Sequence, residues 1–516
     1  MRIYLSLIII ALTTLTSCRK DFDTIPSSGN LQFSKTTVYL DTVFTGISSS
    51  TYMLKVYNRS DKDIAIPSIT LGKGAGSKYR LMVDGRSDNG GKLFTNVELL
   101  AKDSMFVFIE QTADIIDANP TDLLYTDEIL FDSGTYQQKV NLVTLIQDAI
   151  FLFPDRTPLS GGGYSYENLQ LDDSDPNSKI YGFELSGSEL HFTKDKPYVI
   201  YGYAGVKSGD VLHIDPGARV HFHNESGIFV KNGGSIQVNG TPSTTEALEN
   251  EVIFEGDRLE PRFAETPGQW GLIYLAEGST NNIFEHATIK NATVGIFIDQ
   301  QDTIFNTTTQ IKSTQIYNAS NYGIIARKGK VNAENLVINK CGLSSLACIL
   351  GGSYDFTHCT FANYWTGSRQ SPTVYLDNTY TQNNTVFVSP LIQANFTNCI
   401  IYGPGNIELG LKRDSDTSIA FNYNINHCLI KFYDTSGQLN TNPLYTPFLN
   451  DNTNLIATNI NPQDPKFKNA LKNNLRIGFT SVAKGKGDPL FIIAQDADGK
   501  PRTSPPDLGA YEHLSE

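Results

Sequence analysis

The sequence predicts an all-β protein, an antiparallel sandwich followed by a right-handed parallel β-helix, and three observations carry that prediction. Short period-2 apolar runs separated by turn residues fill roughly the first 150 residues. A six-residue pattern then recurs at coil-length intervals through the second half. Nowhere does a heptad or a 3.6-residue periodicity take over, so helical repeats and coiled coils are set aside.

Composition bounds the function. The chain has 516 residues, with 54 acidic against 41 basic side chains and a formal net charge of −13. Charged residues make up 18% and apolar residues 40%, which excludes both an acidic disordered chain and a disulfide-stapled mini-protein. The acidic balance argues against a nucleic-acid partner, which calls for a basic patch or stripe.

At the N-terminus, Arg2 precedes the apolar run Leu5-Ser6-Leu7-Ile8-Ile9-Ile10-Ala11-Leu12, which ends in Leu15-Thr16-Ser17-Cys18. A positive start and a short apolar stretch read as a secretory signal over 1–17. No other run reaches the ~18 apolar residues of a spanning helix. The small residues before Cys18 resemble the lipobox of bacterial lipoproteins, which implies cleavage before Cys18 and acylation of its thiol. A tether over 18–30 follows. Its start, Cys18-Arg19-Lys20-Asp21-Phe22-Asp23, is similar to the export signal of Bacteroidota lipoproteins. The resemblance implies an outer-membrane, lipid-anchored, cell-surface location, with the membrane as the first partner.

Over 31–153, runs such as Thr37-Val38-Tyr39-Leu40, Tyr52-Met53-Leu54-Lys55-Val56-Tyr57 and Met105-Phe106-Val107-Phe108-Ile109 alternate with turns such as Asp84-Gly85. This spacing predicts a sandwich of about seven strands. The blocks Asp41-Thr42-Val43-Phe44-Thr45, Lys55-Val56-Tyr57-Asn58, Val83-Asp84-Gly85, Asp103-Ser104-Met105-Phe106-Val107 and Gln147-Asp148-Ala149 resemble the immunoglobulin-like domain that opens a group of Bacteroidota lipoproteins. That resemblance implies a stalk or spacer with no chemistry of its own. Residues 154–196, with Pro154, Pro158, Gly161-Gly162-Gly163 and Asp172-Asp173-Ser174-Asp175-Pro176, read as a linker. Asp172 and Asp173 are read there as solvated rather than as a catalytic pair.

The β-helix is expected over 197–516. Phe284-Glu285-His286-Ala287-Thr288-Ile289 aligns with Ile311–Ile316, Phe356–Phe361, Phe396–Ile401 and Ile425–Ile430, and more loosely with Ala333–Ile338. Ala287, Thr314, Leu336, Cys359, Cys399 and Cys428 share one position, 27, 22, 23, 40 and 29 residues apart. Stacked coils place such residues in an interior ladder, with Ile289, Ile316, Ile338, Phe361, Ile401 and Ile430 pointing inward two positions later. Cys359, Cys399 and Cys428 therefore read as buried free thiols. Cys341 and Cys348 could bridge, although the unpaired state is favoured. The longest interval carries its excess near Tyr375–Ser389, a loop expected to wall a groove. Asp464-Pro465-Lys466-Phe467, Asp498-Gly499-Lys500-Pro501-Arg502 and Pro506-Asp507-Leu508-Gly509-Ala510-Tyr511-Glu512 resemble the ending of bacterial pectin-lyase-like β-helix proteins, and are expected to cap the last coil. With Phe222-His223 and Pro267-Gly268-Gln269-Trp270-Gly271, they resemble one family of surface lipoproteins that joins the two folds.

Candidate sites need separate weighing, because a fold does not fix a function. His213, His221 and His223 could gather a transition metal, or line a merely polar face. His286, His358 and His427 share the position before the ladder with Ser313, Asn335 and Asn398, which favours a structural role. Arg258, Arg262 and Trp270, and likewise Tyr364, Trp365 and Arg369, combine charge with aromatic rings as glycan-binding grooves do; the alternative is salt-bridged loops packed on the helix. For a polysaccharide lyase of this fold, Arg327-Lys328-Gly329-Lys330 offers base candidates, but no acidic Ca²⁺ set stands near it and hydrolase-type paired-Asp motifs are absent. No catalytic, cofactor or metal set is therefore assigned. The expected function is non-catalytic binding or adhesion, to polysaccharide or an envelope protein, with a lyase or hydrolase acting on acidic polysaccharide, or a structural stalk, as alternatives.

Overall fold

The computed structural model describes residues 23–171, 175–299 and 309–515. They divide into two compact units, Met1–Asp148 and Ala149–Glu516. The signal segment, Cys18, Asp172 and Asp173 lie outside the described residues.

The first unit is an immunoglobulin-like sandwich. Four strands form one sheet in the order Leu31–Phe33, Tyr52–Asn58, Ser104–Gln111, Tyr79–Val83. The other sheet has six strands, with Ile64–Leu71, Leu124–Phe131, Gln138–Gln147 and Thr37–Phe44 in sequence across it. Alternation does what period 2 demands: Met105, Val107 and Ile109 face the core beside Leu54, Val56, Ile129 and Leu142. The expectation of antiparallel pairing fails at two places, since Thr37–Phe44 runs parallel to Gln138–Gln147 and Ile25–Pro26 runs parallel to Ile64–Leu71. The sandwich also begins before residue 31, within the span expected as a tether. Ile25–Pro26 pairs with Ile64 and Ala65, and the Ser27 hydroxyl donates to Asp132 at 2.8 Å, so these residues belong to the sandwich.

The second unit is the parallel β-helix. Eleven parallel strands, from Ile150–Leu152 to Leu455–Ala457, form sheet A. A seventeen-stranded sheet, sheet B, consists of two columns joined where Tyr322–Glu334 and Leu346–Thr357 run through both, with register breaks at Gly329 and Gly352. The helix begins earlier than the sequence implied. Ile150–Leu152 pairs with Tyr198–Ile200, and Lys179–Glu184 with Tyr203–Val206, so the expected linker 154–196 contributes strands and the loops between them. Its Gly161-Gly162-Gly163 run turns a separate two-stranded hairpin, Arg156–Pro158 against Tyr164–Tyr166.

The interior ladder forms as expected. Ala287, Thr314, Leu336, Cys359, Cys399 and Cys428 are fully buried, as are Ile289, Ile316, Ile338, Phe361, Ile401 and Ile430. Sheet A holds the latter in direct register, Ile289 opposite Ile316, then Ile338, Phe361, Ile401 and Ile430. Each such side chain removes enough apolar surface from water to contribute about 1.5–3 kcal/mol. The residue before the ladder turns the chain between sheets. His286, Ser313, Asn335, His358, Asn398 and His427 all take positive φ, from 44° to 58°. That bend explains the recurrence of Asn, His and Ser, residues that tolerate left-handed backbone better than branched ones. At the bend the thiols bond the backbone. The Cys399 thiol donates to Phe356 and Thr397 carbonyls, while its sulfur accepts the Cys359 N–H at 3.4 Å. Cys428 repeats the arrangement one coil on, and all five cysteines described are free.

The C-terminal segment is not the cap it was expected to be. The interior stack ends instead on Phe432, Tyr445 and Phe448, carried by the stretch that includes the short helix Thr446–Leu449. Residues 475–511 lie along the outer face of sheet A. Leu475, Ala510 and Tyr511 pack on Tyr317, Val337 and Ala362, while Ile477, Ala483 and Leu508 pack on Ile400, Leu429 and Ala457. Sheet A is apolar on its outward side along these coils, and this segment is what removes it from water. The Arg502 guanidinium, its side chain 0% exposed, locks the cover to Asn335 and Glu512.

Candidate functional site

A cavity lies beside the last coils of sheet B. It measures about 410 Å³ and is lined by Arg369, Gln370, Ser371, Pro372, Tyr375, Gly405, Asn406, Ile407, Gly410, Leu411 and Tyr445. Val374–Asp377 and Leu409–Lys412 pair in parallel, with Tyr375 directly opposite Gly410. A methyl group at Gly410 would sit 2.7 Å from Pro372 Cγ and 3.1 Å from Tyr375 Cδ2, so glycine is what lets proline and tyrosine close on this strand. Tyr445 arrives from the end cover and fixes its hydroxyl on the backbone of Leu411, accepting from its N–H at 2.9 Å.

An ion pair borders the cavity. Arg369 Nη2 donates to both oxygens of Glu408, at 2.6 and 2.8 Å, and Nη1 to the Ser371 carbonyl. The Glu408 side chain is 0% exposed and also accepts from Thr373 N–H, the Thr373 hydroxyl and Gly405 N–H. Glycines make that closure possible, because a Cβ at Gly403 would meet Glu408 Oε1 at 2.3 Å. Burial pushes the Tyr375 phenol above its usual value, with Asp377 adding to the effect, so it stays a neutral hydrogen-bonding ring.

The expected loop at Tyr375–Ser389 is a β-hairpin, Thr379–Gln382 against Thr385–Val388, turned by Asn383 and Asn384 at positive φ. Its Tyr380 ring lies 5.3 Å from the Arg327 guanidinium, which also lies 5.7 Å from Phe297. Phe297 stacks in turn on Tyr274 at 4.8 Å. Asp299 holds Arg327 through Nε at 2.7 Å and through Nη2, and accepts from the Tyr274 hydroxyl. The ion pair pushes the Arg327 pKa further up, so the guanidinium is a fixed cation and not a base.

The structure scatters the expected glycan-binding residues. Trp270 is core, only 1% exposed, with its ring 4.3 Å from Phe222 and its N–H donating to the Lys290 carbonyl. It offers no ring face to a sugar, and the expectation for it is corrected. Arg258 is tied to Glu260 at 2.7 Å and lies over Phe263, as does Arg262, so this loop follows the salt-bridged alternative. Tyr364 is half-buried against Phe467 of the C-terminal stretch, and Trp365 stands beside it, half-buried. Arg369 alone reaches the cavity. The residues that sequence reasoning missed there, Tyr375, Asn406 and Tyr445, carry no repeat signature; the one signal was the insertion that follows Tyr375.

The histidines do not converge either. His221 is buried against the Gly256 carbonyl, His223 pairs with Asp257 at 2.7 Å, and His213 faces His191 at 6.5 Å between rings. Among the described residues the one group with metal-ligand spacing is Asp507, Glu512 and His513. Those carboxylates already accept from His513, Arg502, Thr503 and Asp507 N–H, which makes the group an internal lock of the C-terminal cover.

Fold and site together define an all-β protein that carries a cavity on a rigid solenoid. No protein-family model matches the chain, and no curated protein matches it. Among solved structures, it is similar to a PapD-like domain of human CEP192 at 15% identity, covering 24% of this chain and 91% of that one, with a TM-score of 0.16. It is also similar to the E. coli chaperone DraB at 15% identity, over 24% of this chain and 57% of that one, TM-score 0.16. A family 123 glycoside hydrolase from Clostridium perfringens matches at 10% identity, over 23% and 27% of the two chains, TM-score 0.16.

Proposed function

We propose that the protein is a lipid-anchored surface protein of a bacterial outer membrane that binds glycan without transforming it. The observation that carries the binding role is the cavity at Tyr375 and Tyr445. The half-buried Tyr375 ring with the buried Tyr445 beside it, the apolar Pro372, Ile407 and Leu411, and the polar Gln370, Ser371 and Asn406 converge in about 410 Å³, within the range of small-ligand sites. Aromatic rings suit the apolar face of a sugar and the polar groups suit its hydroxyls. The lipid anchor is supported by Leu15-Thr16-Ser17-Cys18 and its resemblance to a lipobox. The family of surface lipoproteins named above fits both parts.

A glycan array probed with residues 18–516, and with Tyr375→Ala and Asn406→Ala, tests the binding role. Binding that both variants abolish supports it, and an array without a single bound glycan sinks it. Unsaturated products or new reducing ends on incubation with polysaccharide would replace it with catalysis. Cys18→Ala should move the protein out of the membrane fraction, and retention there would remove the anchor.

A further inference from the structure

The charge around the cavity narrows the ligand, given the reading of this cavity as a glycan site. Arg369 is the one charged side chain among its lining residues. Its guanidinium is spent inside the protein, on both oxygens of the fully buried Glu408 and on the Ser371 carbonyl. The nearby cations on the same sheet are treated alike. Lys412, next along the strand that carries Gly410 and Leu411, is held by Asp377 at 3.0 Å and by the Thr379 hydroxyl. Arg327 is held by Asp299, whose side chain is 4% exposed. Arg369, Lys412 and Arg327 each stand against a carboxylate, while Lys431, bonded to the Asn459 amide at 2.7 Å, and Arg413 lie outside the lining, and the chain as a whole is acidic, 54 carboxylates against 41 basic side chains.

We infer that the cavity takes a neutral saccharide and discriminates against uronates and sulfated sugars. A ligand carboxylate or sulfate needs an uncompensated cation or a set of free N–H donors. To recruit Arg369 it would have to displace Glu408, which would then remain buried without a counter-charge. To recruit Lys412 it would compete with an intramolecular partner already in place. A neutral sugar meets no such cost. Its hydroxyls both donate and accept, which suits the polar lining of Gln370, Ser371 and Asn406, the last of which also accepts from Asn459 at 3.0 Å, while Tyr375 covers its apolar face. The buried pair then acts as scaffolding, holding the 369–372 loop against the 403–408 turn.

The test is direct binding to the intact protein of neutral oligosaccharides, oligogalacturonates and sulfated oligosaccharides at 50 and 500 mM NaCl. Neutral sugars should bind at least tenfold more tightly than the acidic ones, with less than a twofold change between the two salt concentrations, and Tyr375→Ala should remove that binding. Tighter binding of acidic sugars that collapses at high salt would leave the cavity a glycan site and overturn the neutral class. Neutral binding unaffected by both Tyr375→Ala and Asn406→Ala would place the ligand elsewhere and overturn the inference as well. If sugars of all three classes fail to bind, the glycan reading itself falls, and this inference with it.

Discussion

Trp270 lies face to face on Phe222, ring centroids 4.3 Å apart and planes within 18°, inside the β-helix and not on its surface. Trp270→Ala therefore removes a core side chain. It should destabilise the second unit by about 3–5 kcal/mol, read by urea denaturation, with ligand binding intact wherever the protein remains folded. A stable Trp270→Ala variant that has lost binding would return the ring to the site.

Breaking the pair beside the cavity should cost more than deleting it. Glu408→Ala leaves Arg369 without a counter-charge at a site where its side chain is 9% exposed, and should lose about 3–5 kcal/mol. Arg369→Met combined with Glu408→Leu should lose less than either single change made alone. Thermal melts of Arg369→Met, Glu408→Leu and the double variant decide it, and additive losses would show that the two side chains do not act as a pair.

The left-handed bends make a prediction about backbone. Ser313 sits at φ 44°, half-exposed. Ser313→Val places a branched side chain there and should lose about 1–2 kcal/mol, whereas Ser313→Gly should be neutral or stabilising. Chemical denaturation of the pair gives the comparison, and equal losses would mean that the hydroxyl and not the backbone matters.

Thiol chemistry should be silent in the native protein. Burial raises the Cys341 thiol to about 12 and pushes Cys348, Cys399 and Cys428 up as well. The thiolate is the reactive form, so a maleimide should label none of Cys341, Cys348, Cys359, Cys399 and Cys428 before denaturation and all five after it. Rapid native labelling of any one of them would contradict its place in the core.

His358 supplies a pH dependence. Burial first, and then the Arg502 charge, lower its pKa to about 3. Unfolded, it titrates near ~6.5, so the unfolded chain takes up a proton that the folded one refuses. The stability present above pH ~6.5 should fall by up to ~1.4 kcal/mol per pH unit as the pH drops toward 3. His358→Asn, which keeps a residue suited to the φ of 53°, should flatten that slope in denaturation curves taken from pH 7 to 4. An unchanged slope would assign the acid sensitivity to other groups.

The β-helix was legible where a position repeats. The ladder from Ala287 to Cys428 and the bends from His286 to His427 recur because every coil has the same problem to solve, and recurrence survives in one sequence. Trp270 was misread because a large aromatic in a charged loop looks alike whether it points in or out; only its neighbour Phe222, 48 positions earlier, settles the matter. The expected linker failed for a related reason: Pro and Gly mark turns, and a hairpin turn within a domain is spelled like a turn between domains. The cavity was the least visible feature. Tyr375, Asn406 and Tyr445 come from three separate stretches, and pairing of Tyr375 with Gly410 across the sheet is what brings the first two near each other.

The position of the C-terminal stretch bears on how the protein is made. A chain synthesised N-terminus first delivers Tyr317, Val337, Ala362, Ile400 and Leu429 well before Leu508, Ala510 and Tyr511 are available to cover them. Through that interval sheet A carries a bare apolar strip in the company of other emerging chains. The last residues to arrive thus complete the outer face of sheet A as far as its final strand, and a nascent chain remains vulnerable to aggregation until synthesis is almost finished.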